Sequence, residues 1–419
     1  MGSTGEARRI VPGVVRQRSN DLITDLIAAG DLSDTGAWAF VTRNWALMSI
    51  ATTLVLLVLV PLFLLRKYVR IALNLMDDFA PPRLPDARDN PGPGDMGVAV
   101  DFDAFDGHRL SGTLLSASSI VERRGMVVFA HEFGMNRMTH VHYSRPLRAA
   151  GYDVLAFDFR GHGQSPSERD YKPRQFPSDR EISDVVGAIA CAGDILEQQD
   201  RPRAVGIVGL SRGGSAAILA AVGVDSVKAL VVDGAFSSES VTEYLTRRWA
   251  RIFAKLRIAY EAPPLAYWRF VSKWVLATAE RRFRCRYPSV RRALQRMRPT
   301  PIFFIHGERD TFIPLEQAQM LYDLARKPRY LWMVPGARHN QSIYKQPEAY
   351  ARRMIGFLDR HLAGRATTDD PGDESLTPLT QPIADERAGA PDPYASTARS
   401  APIPLAARLA TTTLRARPR

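Results

Sequence analysis

A single serine in the middle of the chain carries the clearest chemical signal. Ser211 lies between Gly209 and Gly213, with Gly214 next, in the run Gly-Leu-Ser-Arg-Gly-Gly. An apolar segment precedes it and an alanine-rich segment follows, as expected for a strand that turns directly into a helix. This G-x-S-x-G pattern is typical of a nucleophile elbow, a strained turn that exposes the serine hydroxyl. We therefore predict that Ser211 is a nucleophile and that Gly209 and Gly213 make room for its turn.

Short apolar runs surround this serine in a pattern typical of a parallel sheet. Each run is followed by a segment with helical periodicity, which predicts buried strands covered by helices on both faces. The predicted strands occupy residues 125–130, 153–157, 204–208, 229–232 and 302–305. Two further runs, 98–105 and 110–116, flank Asp106-Gly107 and predict an opening antiparallel hairpin. The chain is therefore predicted to form an α/β domain with a mostly parallel central sheet over residues 95–363.

Several motifs in this region resemble, in the same order, those of the α/β-hydrolase superfamily. They are Asp-Gly in the hairpin, VVFAHEFGMNR, GYDVLAFDFRGHGQS, GLSRGG, PIFFIHGERDTFIP and VPGARHNQS. The resemblance covers nearly all of residues 95–363 and implies an α/β-hydrolase fold with a helical cap over about residues 238–298. It also implies that Ser211 is the nucleophile of a serine hydrolase, Asp310 the orienting acid and His339 the general base.

The chemistry of a serine nucleophile requires these three residue types. A hydroxyl is a poor nucleophile until an imidazole accepts its proton, and a carboxylate fixes and stabilises that imidazole. Asp310 directly follows a predicted buried strand, and His339 lies in a loop after a short strand at 330–334. The order serine, acid, histidine along the chain is also the one expected for this fold.

A tetrahedral intermediate needs backbone N–H groups that point at its negative oxygen. The residue after the nucleophile, Arg212, is predicted to supply one of them. The loop that begins at His131 is predicted to supply the other, from the amide of Phe133. His131 itself is expected to orient this loop rather than to take part in the reaction.

One residue of this loop departs from the resemblance. Glu132 stands where the related hydrolases usually have glycine. A carboxylate aimed at an oxyanion would oppose catalysis, because the two negative charges repel. We therefore predict that Glu132 points away from the site, toward Arg137 or Arg160.

Several reaction classes are excluded by the residues present. The serine at the elbow excludes epoxide hydrolases and haloalkane dehalogenases, which use an aspartate there. The sequence shows no dinucleotide-binding fingerprint and no cluster at metal-ligand spacing, so we expect no cofactor and no metal. Hydrolysis of an ester, thioester or amide through an acyl-enzyme remains. Esterase or lipase-like action on a small acyl or lipid-like substrate is favoured; a serine peptidase or aminopeptidase, or a catalytically silent membrane-tethered interaction module, are the alternatives.

A membrane span is predicted near the N-terminus. Residues 45–65 hold no charge and, at about 1.5 Å per residue, are long enough to cross a bilayer. Residues 1–44 are polar, and residues 66–94 read as a juxtamembrane linker. Basic residues are more frequent directly after the span than directly before it, which predicts a single-pass protein of the cell membrane with a cytoplasmic hydrolase domain. Residues 366–419, with eight prolines and no periodicity, predict a disordered tail.

The net charge of +12 is concentrated in the predicted cap. Residues 240–299 hold fifteen Lys and Arg against three Glu, an excess equal to the net charge of the whole chain. Aromatic residues are interleaved with them at largely helical spacing. We interpret this segment as a surface for anionic membrane lipids, and not for nucleic acid, because the membrane span and the elbow favour a lipid-facing enzyme. A plain cap with a solvated basic face is the alternative.

Overall fold

Eight strands form one sheet in the order β1-β2-β4-β3-β5-β6-β7-β8. The computed structural model describes residues 12–79, 91–253 and 257–366 of the chain. Strands β3 to β8 pair in parallel, whereas β2 runs antiparallel to both β1 and β4. The strands are β1 Val98–Asp103, β2 Arg109–Leu115, β3 Gly125–Ala130, β4 Tyr152–Phe157, β5 Val205–Leu210, β6 Val227–Asp233, β7 Ile302–Gly307 and β8 Arg329–Val334. The predicted hairpin and parallel strands are confirmed, with ends that differ by one or two residues.

Helices lie before, between and after these strands. They are α1 Pro12–Asp77, α2 Val141–Ala149, α3 Asp179–Glu197, α4 Arg212–Ala220, α5 Ser238–Phe253, α6 Ile258–Glu261, α7 Leu265–Phe283, α8 Val290–Arg296, α9 Leu315–Leu324, α10 Ser342–Lys345 and α11 Pro347–His361. Two short 3-10 helices cover Pro93–Asp95 and Arg137–His140. The parallel strands therefore alternate with helices, as the apolar runs predicted.

Both faces of the sheet are buried because neighbouring residues of each central strand point to opposite sides. In β3, Met126 and Val128 belong to one apolar cluster, and Val127 and Phe129 belong to the other. Helices α3, α4, α8 and α9 cover the first face, and α2, α10 and α11 cover the second. This two-sided burial fixes the carboxyl ends of β5, β6 and β7 at one edge, where the loops that follow them meet.

The cap is smaller than the sequence indicated. Helices α5, α6 and α7 lie within the predicted range of about 238–298. Helix α8 lies in the same range, but its residues Val290, Ala293 and Leu294 are buried in the cluster that covers the sheet. The predicted C-terminal boundary of the cap is therefore wrong. The basic residues of α8 indicated a place in the cap, but the apolar face of this helix contacts α4 and α9.

Helix α1 continues without a break through residues that were predicted to form a linker. Six of its residues, spaced three and four apart, are buried in one cluster with α5 and α7: Leu65, Tyr68, Val69, Ala72, Leu73 and Met76. The ring of Tyr68 lies 5.8 Å from that of Trp268, and Asp77 pairs with Arg282 at 3.1 Å. The linker prediction for 66–94 is therefore wrong for residues 66–77, while residues 80–90 lie outside the described residues.

The remaining part of α1 has the character of a membrane helix. The stretch Arg43–Asp77 is long and apolar enough to cross a membrane, and its most apolar window is not buried within the protein. Large apolar side chains such as Trp45, Leu57 and Phe63 are each more than three-fifths exposed. The helix begins at Pro12, so most of the polar segment 1–44 is helical in backbone conformation. The predicted disordered tail, apart from residue 366, lies outside the described residues.

Candidate active site

Ser211 occupies a strained turn between β5 and α4. Its φ is +50° and its ψ is −115°, a conformation that L-residues rarely adopt. Two glycines permit the turn, because a Cβ on Gly209 would lie 2.6 Å from the Cα of Gly214, and one on Gly213 would lie 2.4 Å from the carbonyl oxygens of Ala130 and His131. These close approaches bring the turn against the end of β3. The structure thus gives a physical reason for the glycines that surround the serine.

The structure brings Ser211, His339 and Asp310 into one hydrogen-bonded chain. Ser211 Oγ lies 2.8 Å from His339 Nε2, and His339 Nδ1 lies 2.6 Å from Asp310 Oδ2. The carboxylate can only accept, so Nδ1 carries the proton and Nε2 is free to accept the proton of Ser211. The backbone N–H groups of Phe312 and Ile313 donate to the other carboxylate oxygen, at 2.8 and 2.9 Å. This arrangement is suited to activating a serine hydroxyl.

The charges of this chain support a basic imidazole. Burial opposes the protonated form of His339, but the Asp310 carboxylate outweighs it and raises the pKa of His339 above its ordinary value. Burial likewise opposes ionisation of Asp310, but its interactions with His339 keep the pKa of Asp310 below its usual range. Asp310 is therefore an anion at neutral pH, and His339 is a better proton acceptor than an isolated histidine.

Two backbone amides, those of Arg212 and Phe133, are the candidates for an oxyanion hole at Ser211. Arg212 is the first residue of α4 and Phe133 lies in the loop after β3. Within the described part of the chain, neither N–H donates to another protein group. His131 holds this loop, because its Nδ1 lies 2.7 Å from the carbonyl oxygen of Glu132 and its Nε2 accepts from the N–H of Phe159 at 3.2 Å. The amides predicted for an oxyanion hole are therefore both available for a ligand, and His131 orients the loop.

The side chain of Arg212 links this loop to the body of the protein, which the sequence did not indicate. It is fully buried and donates to the carbonyl oxygen of Arg174 at 3.0 Å and to Glu181 at 3.4 Å. Its guanidinium carbon also lies 4.9 Å from the centre of the Phe133 ring. Cations are attracted to the faces of aromatic rings. The side chain of Arg212 therefore packs against the ring of Phe133 and connects it to Arg174 and Glu181.

The orientation of Glu132 contradicts the sequence-based prediction. Arg137 bonds to Asp158 at 2.5 Å, and Arg160 bonds to Asp184 at 2.6 Å, so both arginines are held by other carboxylates. Glu132 instead lines the pocket that contains Ser211, and its carboxyl oxygens are buried without a hydrogen-bond partner among the described residues. The prediction that it points toward Arg137 or Arg160 is wrong, because those arginines already have closer acidic partners.

A largely apolar pocket opens onto the Ser211 hydroxyl. Its polar lining residues are Glu132, Gln175, Ser211, His339 and Asn340. The other residues that line it are apolar or aromatic: Phe79, Phe133, Met135, Phe176, Phe236, Val241, Leu245, Phe312 and Ile313. They come from the end of the α1 segment, the loops above the sheet and helix α5. Such a lining is typical of sites for apolar ligands with a few polar groups that fix their orientation.

Asp233, at the end of β6, is a second buried acid near His339 that sequence reasoning missed. Its Oδ1 accepts from Ser342 Oγ at 3.1 Å. Burial, the largest influence, raises the pKa of Asp233 to about 7. The sequence signal was present in VVDGAF, since an acid directly follows an apolar run there. Asp310, and not Asp233, makes the hydrogen bond to His339.

The fold and this site define an α/β hydrolase. A sequence profile of the alpha/beta hydrolase family matches residues 127–353, more than half of the chain, and the protein belongs to that family. Among curated proteins, the uncharacterised protein YfhR of Escherichia coli K12 is 23% identical over 266 residues, which cover 62% of this chain and 80% of YfhR. The uncharacterised protein YqkD of Bacillus subtilis is 25% identical over 239 residues, covering 56% of this chain and 70% of YqkD.

Two esterases are among the solved structures that are similar to this chain. The esterase Pf2001 of Pyrococcus furiosus is 26% identical, with a TM-score of 0.49 and coverage of 67% of this chain and 97% of that one. The esterase domain of a Rhodothermus marinus protein is 21% identical, with a TM-score of 0.43 and coverage of 63% and 99%. The predicted α/β-hydrolase fold is confirmed by the family match and the sheet, and family membership supports hydrolase activity.

Proposed function

We propose that the protein is a membrane-anchored serine hydrolase that cleaves carboxylic ester or thioester bonds through an acyl-enzyme. The observation that carries this proposal is the pair of short contacts at the imidazole, 2.8 Å to Ser211 Oγ and 2.6 Å to Asp310 Oδ2. They lie in the wall of an apolar pocket, and the described residues show no acceptor for the N–H groups of Phe133 and Arg212. Together these features supply a nucleophile, a base and an oxyanion site.

The reaction follows from these positions. His339 Nε2 accepts the proton of Ser211 as Oγ attacks the substrate carbonyl carbon, and the amides of Phe133 and Arg212 stabilise the oxyanion. The positive end of α4 favours the same negative charge. His339 then gives the proton to the leaving alkoxide or thiolate, which departs as the acyl-enzyme forms. Water then attacks the acyl-enzyme while His339 accepts its proton, and His339 returns this proton to Ser211 Oγ as the carboxylic acid leaves.

The pocket supports an apolar acyl group as the substrate. Its wall carries nine apolar or aromatic residues, several of them from outside the sheet domain. Transfer of apolar surface out of water stabilises binding by about 25 cal/mol per Å², so a longer acyl chain gains more than an acetyl group. We therefore propose lipid-like or long-chain acyl esters as the favoured substrates.

The path of α1 supports delivery of such substrates from a membrane. The exposed apolar stretch ends near Phe63, and Tyr68 already contacts the cap. Five helical residues span about 8 Å, so the cap begins close to the membrane surface. Phe79, which follows the same helix, lines the pocket. An acyl chain therefore has only a short distance to travel between the bilayer and Ser211.

Helix α7 offers a surface that fits this membrane face. Trp268 of α7 packs beside Tyr68 and Arg282 beside Asp77, so α7 runs in the same direction as α1 with its first turns nearer the bilayer. These turns expose apolar and basic side chains together: Leu265, Arg269, Phe270, Lys273 and Trp274. Interfacial aromatics and basic residues each favour an anionic membrane surface, at about 1 kcal/mol for each Lys or Arg. We name these five residues the α7 patch.

A panel of substrates tests the proposed reaction. The full-length protein, purified in detergent, is assayed with acetyl and long-chain acyl esters, matching thioesters and aminoacyl amides, and is labelled with a fluorophosphonate probe. We expect ester and thioester turnover and labelling in the wild type. Ser211→Ala should abolish both, and Asp310→Asn should lower kcat by about 10⁴-fold, since the imidazole loses its orienting anion. Equal turnover by Ser211→Ala would contradict the proposal, and turnover of amides alone would favour the peptidase alternative.

The α7 patch is tested separately with the protein in vesicles. In proteoliposomes that contain anionic lipid, the double variant Phe270→Ser, Trp274→Ser should lose turnover of a bilayer-embedded long-chain ester by about tenfold and keep turnover of a soluble acetyl ester. Ile120→Ser is the matched control, because Ile120 is 90% exposed before β3, at the sheet edge opposite Ser211. Unchanged turnover of the embedded ester by the double variant, at low and high salt, would contradict membrane contact by this patch.

A further inference from the structure

Glu132, a residue of the active-site wall, holds a buried carboxyl group that has no side-chain partner among the described residues. The residue is 3% exposed, and both carboxyl oxygens are buried with no hydrogen-bond partner among the described residues. Glu132 lines the same pocket as Ser211 and His339. His131 donates to the Glu132 carbonyl oxygen at 2.7 Å and so holds the backbone at this point. Buried polar groups ordinarily have a hydrogen-bond partner, and a ligand in this pocket is the partner that the resting protein lacks.

Burial of Glu132 disfavours a negative charge and outweighs the two influences that favour one, its own backbone N–H and a charged His339, so the pKa of Glu132 is raised. The titratable groups that face it are His339, from the loop after β8, and Tyr143, from α2. The remaining charged neighbour of the loop, Arg212, lies against the Phe133 ring and pairs with Glu181. An isolated carboxylate in such a place costs several kcal/mol, and a buried acid avoids this cost by holding its proton.

We propose that Glu132 acts as a neutral carboxylic acid that donates a hydrogen bond to the oxygen of the reacting acyl group, and that its ionisation switches acyl transfer off. The inference rests on the proposed serine-hydrolase function and deepens it. The Glu132 proton stays on its own oxygen throughout, while the proton of Ser211 moves to His339 and then to the leaving group. Glu132 thereby adds a third donor to the amides of Phe133 and Arg212.

The electrostatics of the site predict how activity depends on the protonation of Glu132 and His339. Burial, the largest influence, raises the pKa of Glu132 to about 7, and a charged His339 opposes that rise. In the productive state His339 is neutral and Glu132 is protonated, so of the two titratable protons of this pair only the one on Glu132 is bound. Protonation of His339 inactivates the base. Loss of the proton from Glu132 places a carboxylate beside the developing oxyanion. Because the two groups interact, the two steps belong to the pair.

A pH profile of the full-length enzyme tests the inference. The ratio kcat/KM for a neutral acyl ester is measured in detergent from about pH 5 to about pH 10. The wild type should give a bell whose alkaline limb falls near neutral pH. Glu132→Gln keeps a neutral donor of the same shape, so its rate should rise with pH and stay high. Glu132→Leu removes donor and charge, so it should also lack the alkaline limb but be about tenfold slower than Glu132→Gln.

Each outcome decides the matter. A wild type without the alkaline limb, or Glu132→Gln with the same limb, overturns the inference while the proposed function stands. Glu132→Leu as active as Glu132→Gln overturns the donor role. A folded Glu132→Gln protein that is inactive at every pH also overturns it, and points to a carboxylate that binds a substrate cation. A wild type that neither turns over esters nor reacts with the fluorophosphonate probe overturns the proposed function together with the inference.

Discussion

The ring of Phe79 lies 6.0 Å from the ring of Phe133. The first residue closely follows the long apolar helix α1, and the second lies in the loop after β3, which is proposed to supply an oxyanion donor. Both rings line the active-site pocket. The segment that carries the candidate membrane span therefore forms part of the wall of the site, and changes in it should alter catalysis.

Phe79→Ala should weaken the use of long acyl chains. Removing the ring exposes part of the apolar wall to water and costs about 1–2 kcal/mol of transition-state binding for a chain that contacts it. We expect kcat/KM for an octanoyl ester to fall about tenfold and that for an acetyl ester to change less than twofold. Phe63→Ala is the matched control, because that ring is 67% exposed on the same helix. An equal loss for both esters would argue against contact between Phe79 and the acyl chain.

Gly213→Ala should disable the site without removing any reactive group. The new Cβ would lie 2.4 Å from two backbone oxygens, and backbone atoms cannot move away as a flexible side chain can. Either the Ser211 turn or the loop with Phe133 must shift, which misplaces the oxyanion donors. We expect kcat to fall by at least about 10²-fold, the effect of losing one such donor. Gly94→Ala meets nothing within 4 Å and should leave the rate unchanged; wild-type kinetics for Gly213→Ala would refute the packing argument.

Leu73→Ala should destabilise the hydrolase domain although it lies on the helix that also carries the span. Leu73 is 6% exposed in the cluster shared with α5 and α7, and such truncations cost about 2–5 kcal/mol. We expect a lower thermal midpoint for the full-length protein in detergent. Leu57→Ala provides the control, since Leu57 is 64% exposed on the same helix. Equal midpoints for both variants would mean that α1 does not contribute to the stability of the cap.

Asp233→Asn should stabilise the protein at alkaline pH. The pKa of Asp233 is about 7 in the folded protein against 3.8 ordinarily, so the folded state binds more protons than the unfolded state between these values. The free energy of unfolding therefore falls as pH rises from about 4 to about 7, by at most about 4 kcal/mol. The asparagine has no such loss. Its thermal midpoint in detergent should exceed that of the wild type at pH 8 and approach it at pH 4.

Asp103→Asn is the control for this effect, because its side chain is 60% exposed. That substitution should leave the midpoint close to the wild-type value at both pH values. A constant difference between Asp233→Asn and the wild type at the two pH values would show that ionisation of Asp233 is not the cause.

The basic residues after the span predict which side of the membrane carries the hydrolase domain. Arg66, Lys67 and Arg70 are exposed on α1 directly after its apolar stretch. Basic residues near a span favour the cytoplasmic side. Reporters fused to the C-terminus, one active only inside the cell and one only outside, should show activity of the inside reporter. Exchanging the three residues for Gln should weaken this preference, and activity of the outside reporter in the unaltered chain would reverse the assignment.

The sequence by itself indicated the strands of a mostly parallel sheet and the three residues that meet at its carboxyl edge, whereas the strand order came from the structure. Ser211 and Asp310 follow buried strands, and His339 lies in the loop after another strand. Each was visible from a short local pattern of apolar and glycine residues. Local patterns suffice there because parallel strands place their carboxyl ends together wherever they lie in the chain.

Only the tertiary structure decided where Glu132, residues 66–77 of α1 and helix α8 belong. Glu132 faces the pocket because Asp158 and Asp184 hold the arginines that seemed available to it. The buried stripe of α1 was present in the sequence at helical spacing, but its partners Trp268 and Arg282 lie some two hundred residues away. Which partner a charged or apolar side chain finds depends on competition among groups distant in sequence, and only the folded chain brings those competitors together.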